Sequence, residues 1–292
     1  MSKELVVFGC SMPSNYVRHR NQISKLHMKN YGRPWVVGYW DPIEKKAKTR
    51  NWEYIEEFST FDVQMSNYFN LRPKNYAYPG SGNLSIFNKA SDYINLNHEK
   101  IGLMVVCWTQ LSRIDFLVEK NSNFDDGEYL STEIGQRQYQ NVVFFNYEFK
   151  EDSKAWKMYR NHCDDSFSII QRLSELNCLS VEHDVDNLLK YIYMIQSLCE
   201  TFGVPLIQCT SIIDRPNTER IKAAFITNKT FHSIDREQFY GYPLNDLDGT
   251  DFLCNEFAPE FCLNEFDKHP SALQHEKMAE KLIDFSISKG IM

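Results

Sequence analysis

The chain predicts an α/β sandwich built on a mostly parallel sheet, and three observations carry that reading. Apolar runs of strand length recur along its 292 residues. Segments with apolar side chains at helical spacing lie between them. One of those helices ends in a glycine directly before a buried strand, the succession a parallel crossover requires.

Five stretches are expected as strands: LVVFG (5–9), KNYAY (74–78), IGLMVVCWT (101–109), NVVFFNYEF (141–149) and VPLIQCT (204–210). NVVFFNYEF suits the edge of the sheet or an insert. The run DVDNLLKYIYMIQSLCETFG sets Val185, Leu188, Leu189, Ile192, Ile195, Leu198 and Phe202 at helical spacing, with Asp184 expected as N-cap and Gly203 as the stop. Near the C-terminal end, Ala279, Leu282, Ile283 and Ile287 line up behind Pro270, which suits a first-turn position. Residues 16–70 and 110–165 are polar and aromatic-rich, and are expected as helices and long loops inserted into a single domain spanning 1–292.

Composition narrows the function classes. With 42% hydrophobic and 24% charged residues the chain reads as an ordinary soluble globular protein. A net charge of −7 with no basic block argues against nucleic acid as partner, because phosphate binding needs concentrated positive charge. The longest apolar runs fall well short of the roughly 20 residues that span a bilayer. The first apolar run is also too short for a secretory signal, so a cytoplasmic chain is expected. The 8 cysteines, at 10, 107, 163, 178, 199, 209, 254 and 262, form no CxxC pair and are expected as reduced thiols. The histidines show no HExxH-like spacing, so no metal is expected. The acidic turns NFDDGEY (123–129) and DGTDF (248–252) lack EF-hand spacing and read as solvated loops. QFYGYP (238–243) reads as core packing ahead of a cleft wall.

In a parallel sheet the reactive groups gather where strands end, at the carboxyl edge. Gly9, Cys10 and Ser11 follow the first strand, PGSGN (79–83) the second, and Trp108 to Arg113 the third. Asp267 and His269 stand just before the last helix. These are the parts of a serine acyl-transfer site, whose chemistry needs no organic cofactor. A serine hydroxyl is a weak nucleophile until a base takes its proton, and His269 is the natural base for Ser11. Asp267, two residues away, suits the acceptor that fixes the imidazole tautomer. Backbone N–H groups at Ser11 and Gly80, with a donor from the third strand end, suit a developing oxyanion. Cys10, alternating away from Ser11, is expected to point into the packing between sheet and helix.

Taken in order, the four blocks resemble those of the SGNH (GDSL-type) hydrolase superfamily. FGCS resembles the first block, with Ser11 as nucleophile, and YPGSGN the second, with Gly80 as oxyanion glycine and Asn83 as its support. VVCWTQLSR stands where the third belongs, and DKHPSALQH resembles the last, with Asp267 and His269 closing the triad. The resemblance implies a three-layer α/β/α, flavodoxin-like fold with a five-stranded sheet. Two positions depart from the pattern. Cys10 replaces the Asp that usually precedes the serine, and WTQLSR replaces Gly-x-Asn-Asp. Thr109 or Gln110 is then expected to supply the missing donor, and Arg113 to anchor the loop or an anionic substrate group. The resemblance implies ester hydrolysis with a broad choice of substrate, from acetylated sugars to lipids, thioesters and arylesters. The lack of a lipid-binding segment and the abundance of Tyr and Trp favour a short acyl group, acetyl above all, on a small molecule or glycan. A binding module that has lost activity and an O-acyltransferase using the same serine stay open beside it, as does the oligomeric state.

Overall fold

The computed structural model of the chain describes residues 2–10, 13–32, 36–41, 46–51, 53–78, 81–109, 111, 113–118, 138–143, 180–210, 218–241, 259–263 and 269–292. In chain order its elements are β1 (Glu4–Phe8), α1 (Tyr16–Tyr31), β2 (Val36–Asp41), β3 (Lys46–Asn51), α2 (Phe61–Phe69), β4 (Arg72–Asn75), α3 (Asn83–Asn97), β5 (Ile101–Trp108), β6 (Arg113–Val118) and β7 (Gln138–Val143). They continue with α4 (Val181–Phe202), β8 (Leu206–Thr210), α5 (Thr218–Thr227), β9 (Phe239–Tyr240) and α6 (Ala272–Ser288).

β1, β5 and β8 are buried along their whole length, which is why they read as unbroken apolar runs and not as alternating ones. Among the described residues they form, with β4 and β9, a five-stranded sheet in the order β4-β1-β5-β8-β9. Every pairing in it is parallel. Alternate side chains supply two cores. Val6, Phe8, Met104, Val106 and Trp108 pack with α3, α4 and α5 on one face. Leu5, Val7, Leu103, Val105 and Cys107 pack with α2 and α6 on the other. The result is a three-layer α/β/α sandwich with the flavodoxin-type strand order. The chain steps from β1 outward to β4, then crosses to β5 on the far side of β1. In open α/β sheets the carboxyl ends of the strands at such a reversal, here β1 and β5, are the usual place for a ligand.

Several expectations are corrected here. KNYAY pairs two residues earlier than its aromatics suggest, as β4 at Arg72–Asn75. This edge strand is partly exposed and tolerates Pro73, which has no N–H to give the ladder. Of NVVFFNYEF only 141–143 are described, and they pair antiparallel with β6 in a separate two-stranded sheet. The fifth strand of the main sheet comes instead from QFYGYP, whose Phe239 and Tyr240 pair with Gln208 and Cys209. α4 starts earlier than expected because Ser180, not Asp184, caps it, accepting from His183 N–H at 3.1 Å. Asp184 sits in the first turn, where a carboxylate complements the helix dipole. Gly203 ends the helix in the left-handed conformation, φ 64°. Pro270 lies outside α6, whose N-cap is Ser271. Phe202 and Ile287, at the far ends of their helices, overshoot the sheet and are 36% and 50% exposed. Within 16–70, α2 is no decoration, since Phe61 and Met65 are fully buried in the second core.

Candidate active site

The carboxyl end of β1 is shaped first by Gly9. A Cβ there would lie 2.4 Å from Pro13 Cγ and 3.1 Å from both the Cβ and the carbonyl oxygen of Cys107. Glycine therefore lets the turn after β1 press against β5. Cys10 follows, fully buried and packed in the α2/α6 core. On the other side of β1 the ladder runs past β4: Tyr76 N–H donates to Val7 at 2.8 Å and Tyr78 N–H to Gly9 at 3.0 Å. Asn75 reaches across the same edge, its amide donating to the Pro13 carbonyl at 2.9 Å.

At the end of β5, Thr109 is gripped from α3. Asn83, the first residue of that helix, accepts from Thr109 N–H at 2.9 Å and donates to Thr109 C=O at 3.2 Å. The second and third blocks are thus tied by a two-bond clamp buried on both sides. Thr109 Oγ1 is buried and has no hydrogen-bond partner among the described residues. A buried hydroxyl in that condition costs about 1–3 kcal/mol, which makes it a notable group at a strand end. Its neighbour Trp108 is wholly buried, with its indole N–H on Gln208 Oε1 at 2.8 Å, so it belongs to the core.

His269 arrives from the far end of the chain. Its ring stacks on Tyr16 at the start of α1, centroids 3.6 Å apart and planes 8° from parallel. Backbone bonds pin the segment: Leu263 N–H donates to His269 C=O at 2.9 Å and Ser271 N–H to Phe261 C=O at 3.0 Å, around an antiparallel Cys262–Pro270 bridge. Ser271 then caps α6, its hydroxyl donating to Glu260 C=O at 2.7 Å. Tyr16 is buried and also carries Arg20 over its ring at 4.7 Å.

Ser11, Gly80, Gln110 and Asp267 lie outside the described residues. Arg113 is placed by its backbone, opening β6 opposite Val143. The described partners that sequence reasoning passed over are Tyr16, Tyr78 and His19. His19, on α1, meets Tyr78 edge to face at 5.1 Å. Burial, with Arg20 nearby, holds its pKa below the ordinary histidine value. No motif marks these three, because their role comes from packing between segments distant in sequence. Among the described residues no group of three or more His, Cys, Asp or Glu is arranged to hold a metal. No described helix is long and apolar enough to cross a membrane.

No family model and no curated protein matches the sequence. Solved structures do align with the fold. An acetyl xylan esterase from the rumen bacterium Butyrivibrio proteoclasticus aligns at 11% identity and TM-score 0.41, covering 100% of this chain and 65% of that one. A carbohydrate esterase family 2 enzyme with a carbohydrate-binding domain, from Corynascus thermopiles (Myceliophthora fergusii), aligns at 11% identity and TM-score 0.41, covering 99% and 67%. TesA aligns at 10% identity and TM-score 0.33, covering 98% and 99%. This chain therefore spans less than two thirds of the first of these proteins. Likeness this distant fixes neither family nor activity.

Proposed function

We propose that the protein is a serine esterase acting on short-chain acyl esters, acetyl above all, with a carbohydrate as the favoured alcohol. The observation that carries this reading is the His269–Tyr16 stack. It sets His269, from the last block, against Tyr16 in the first turn of α1, the helix that comes after Ser11 in the chain, which supports a meeting of the first and last blocks near the carboxyl end of β1.

In the proposed reaction His269 takes the proton of Ser11 as its Oγ attacks the ester carbonyl, and Asp267 orients the imidazole. The tetrahedral oxyanion is held by backbone N–H groups of Ser11 and Gly80, with Thr109 Oγ1 or Gln110 as the third donor. Collapse breaks the bond to the alcohol oxygen, which leaves with the proton from His269. Water, deprotonated by the same histidine, then attacks the acyl-enzyme; the acid departs and Ser11 regains its proton. Asn83 acts indirectly, through its hold on Thr109. Arg113 anchors the loop after the third strand or an anionic substrate group.

The test is release of p-nitrophenol from p-nitrophenyl acetate, with fluorophosphonate labelling alongside. Wild-type turnover and labelling that both vanish in Ser11→Ala, with turnover falling at least about 10³-fold in His269→Ala, support the triad. A wild-type protein that neither turns over the ester nor takes the fluorophosphonate sinks it.

A further inference from the structure

The amino end of the sheet, opposite the candidate active site, holds a groove of about 1030 Å³. It lies where β1, β4 and β5 begin, under the last turn of α3. Four cations line it, Lys3, Arg72, Lys74 and Lys100, against two carboxylates, Glu4 and Glu99. The local excess is two positive charges, in a chain whose net charge is −7.

Three of the cations, Arg72, Lys74 and Lys100, have fixed partners. Glu4 is 2% exposed and both of its oxygens are engaged. Arg72 and Lys74 share Oε1, the lysine at 3.9 Å, and the Tyr93 hydroxyl donates to Oε2. Arg72 and Lys74 lie on one face of the edge strand, two residues apart, so the buried carboxylate fixes both heads on the same side. The Arg72 side chain is 58% exposed, and a guanidinium carries five N–H donors, most of which remain for a ligand after the bond to Glu4. Lys100 is fixed by a bond to Asn97 Oδ1 at 2.8 Å. A purely structural ion pair would need one cation for Glu4; this groove gathers four around an open volume.

We infer that this groove is a second binding site, taking a phosphate monoester of sugar size. A phosphomonoester carries about −1.5 to −2 charge at pH 7, which matches the local excess. An Arg fork with flanking Lys point charges is the usual recognition set for its oxygens. The volume accommodates more than the phosphate itself, at the upper end of small-ligand pockets. Ser2 and Asn97 supply hydrogen-bonding side chains for the carrier's hydroxyls. The inference stands independently of the esterase reading, since it uses none of its residues.

The experiment is calorimetric titration of the full chain with glucose 6-phosphate, inorganic phosphate and glucose. The variant Lys74→Gln/Lys100→Gln is titrated in parallel, after circular dichroism has shown it folded. Lys100 is exposed and Lys74 is 26% exposed, and Glu4 keeps its Arg72 and Tyr93 partners. Glucose 6-phosphate is expected to bind, more weakly as salt rises, with inorganic phosphate weaker and glucose silent. The double variant is expected to lose about tenfold or more in affinity, equivalent to about 1.4 kcal/mol. Absence of binding by both phosphate compounds, or equal binding by wild type and variant, overturns the site. Inorganic phosphate binding as tightly as the ester overturns the monoester assignment. Should the double variant fail to fold, the exposed single substitution Lys100→Glu replaces it, and unchanged affinity there overturns the site equally.

Discussion

Asn83 and Thr109 hold each other by both ends of one side-chain amide: Oδ1 on the Thr109 N–H at 2.9 Å, Nδ2 on its carbonyl at 3.2 Å. Asn83 lies at the start of α3 and Thr109 directly follows β5, so the clamp sets the second candidate block against the third. Asn83→Ala removes both bonds and strands a buried N–H and C=O, at a cost of about 2–4 kcal/mol. Asn83→Asp keeps the acceptor but loses the donor and buries a charge, so it is expected to be no better. Urea unfolding measures the stability loss. At a concentration where the variant remains folded, the proposed esterase rate is expected to fall about 10–100-fold through misplacement of the strand end.

Gly9 has no room for a methyl group. Its Cβ would sit 2.4 Å from Pro13 Cγ, with Cys107 at 3.1 Å behind. Gly9→Ala is therefore expected to destabilise by about 1–3 kcal/mol, as overpacking does. Pro13→Ala removes the nearer obstacle, so the double variant recovers part of the loss while the Cys107 contact keeps it below wild type. A thermodynamic cycle on the two sites reads this coupling. Strict additivity would mean that the turn relaxes by another route.

How much of this was legible in the sequence depended on whether burial was local and continuous. β1, β5 and β8 announce themselves because each is buried on both faces. β9 does not, because two residues carry no period and its strand identity comes from pairing with β8. β4 is hidden for the opposite reason: Arg72, Pro73, Lys74 and Asn75 are polar edge residues, and the apolar aromatics that look like the strand follow it. Of the candidate site, the order of the four polar blocks along the chain was readable, and the expectation that they meet at one edge rests on that order. The contacts that arrange them were not. Nothing near position 16 says that Tyr16 will stack on a histidine more than two hundred residues away, and Asn83 looks like any turn asparagine until Thr109 is beside it.

His275 is an example of a contact with a pH signature. It is buried on α6, and its Nδ1 accepts from Phe61 N–H at 3.3 Å, capping the start of α2. Burial lowers its pKa from 6.5 to about 3. The unfolded chain therefore binds a proton between those values that the folded protein refuses, and stability falls as pH drops through that window. The slope from this one group approaches about 1.4 kcal/mol per pH unit. Asp62, in the same turn, works against it: burial raises its pKa despite hydrogen bonds from Thr60 and Asn75, so its contribution is lost as pH rises. His275→Gln keeps an acceptor for Phe61 and removes the titration. Its urea midpoint is expected to vary less than wild type between pH 7 and pH 4.5, with Asp62 common to both. Parallel midpoint curves for the two proteins would show that His275 does not titrate as described.

Cys10 tests which of two adjacent side chains is the proposed nucleophile. The thiol is fully buried against β5 and the α2/α6 core, so it is expected to resist thiol reagents in the native protein and react only on unfolding. Cys10→Ala leaves a small void and is expected to cost about 1 kcal/mol while keeping the proposed esterase activity near wild type. Cys10→Asp restores the residue usual in the first block of the family this chain resembles, and here it is expected to fail. The carboxylate would enter an apolar cluster with Val7, Cys107 and Met278, at a cost of several kcal/mol, and no described charge in that cluster offsets it. Thermal unfolding of the three proteins, read with ester turnover and with thiol labelling before and after denaturation, decides the matter. Rapid native labelling of Cys10, or turnover lost in Cys10→Ala with the fold intact, would move the proposed nucleophile from Ser11 to Cys10.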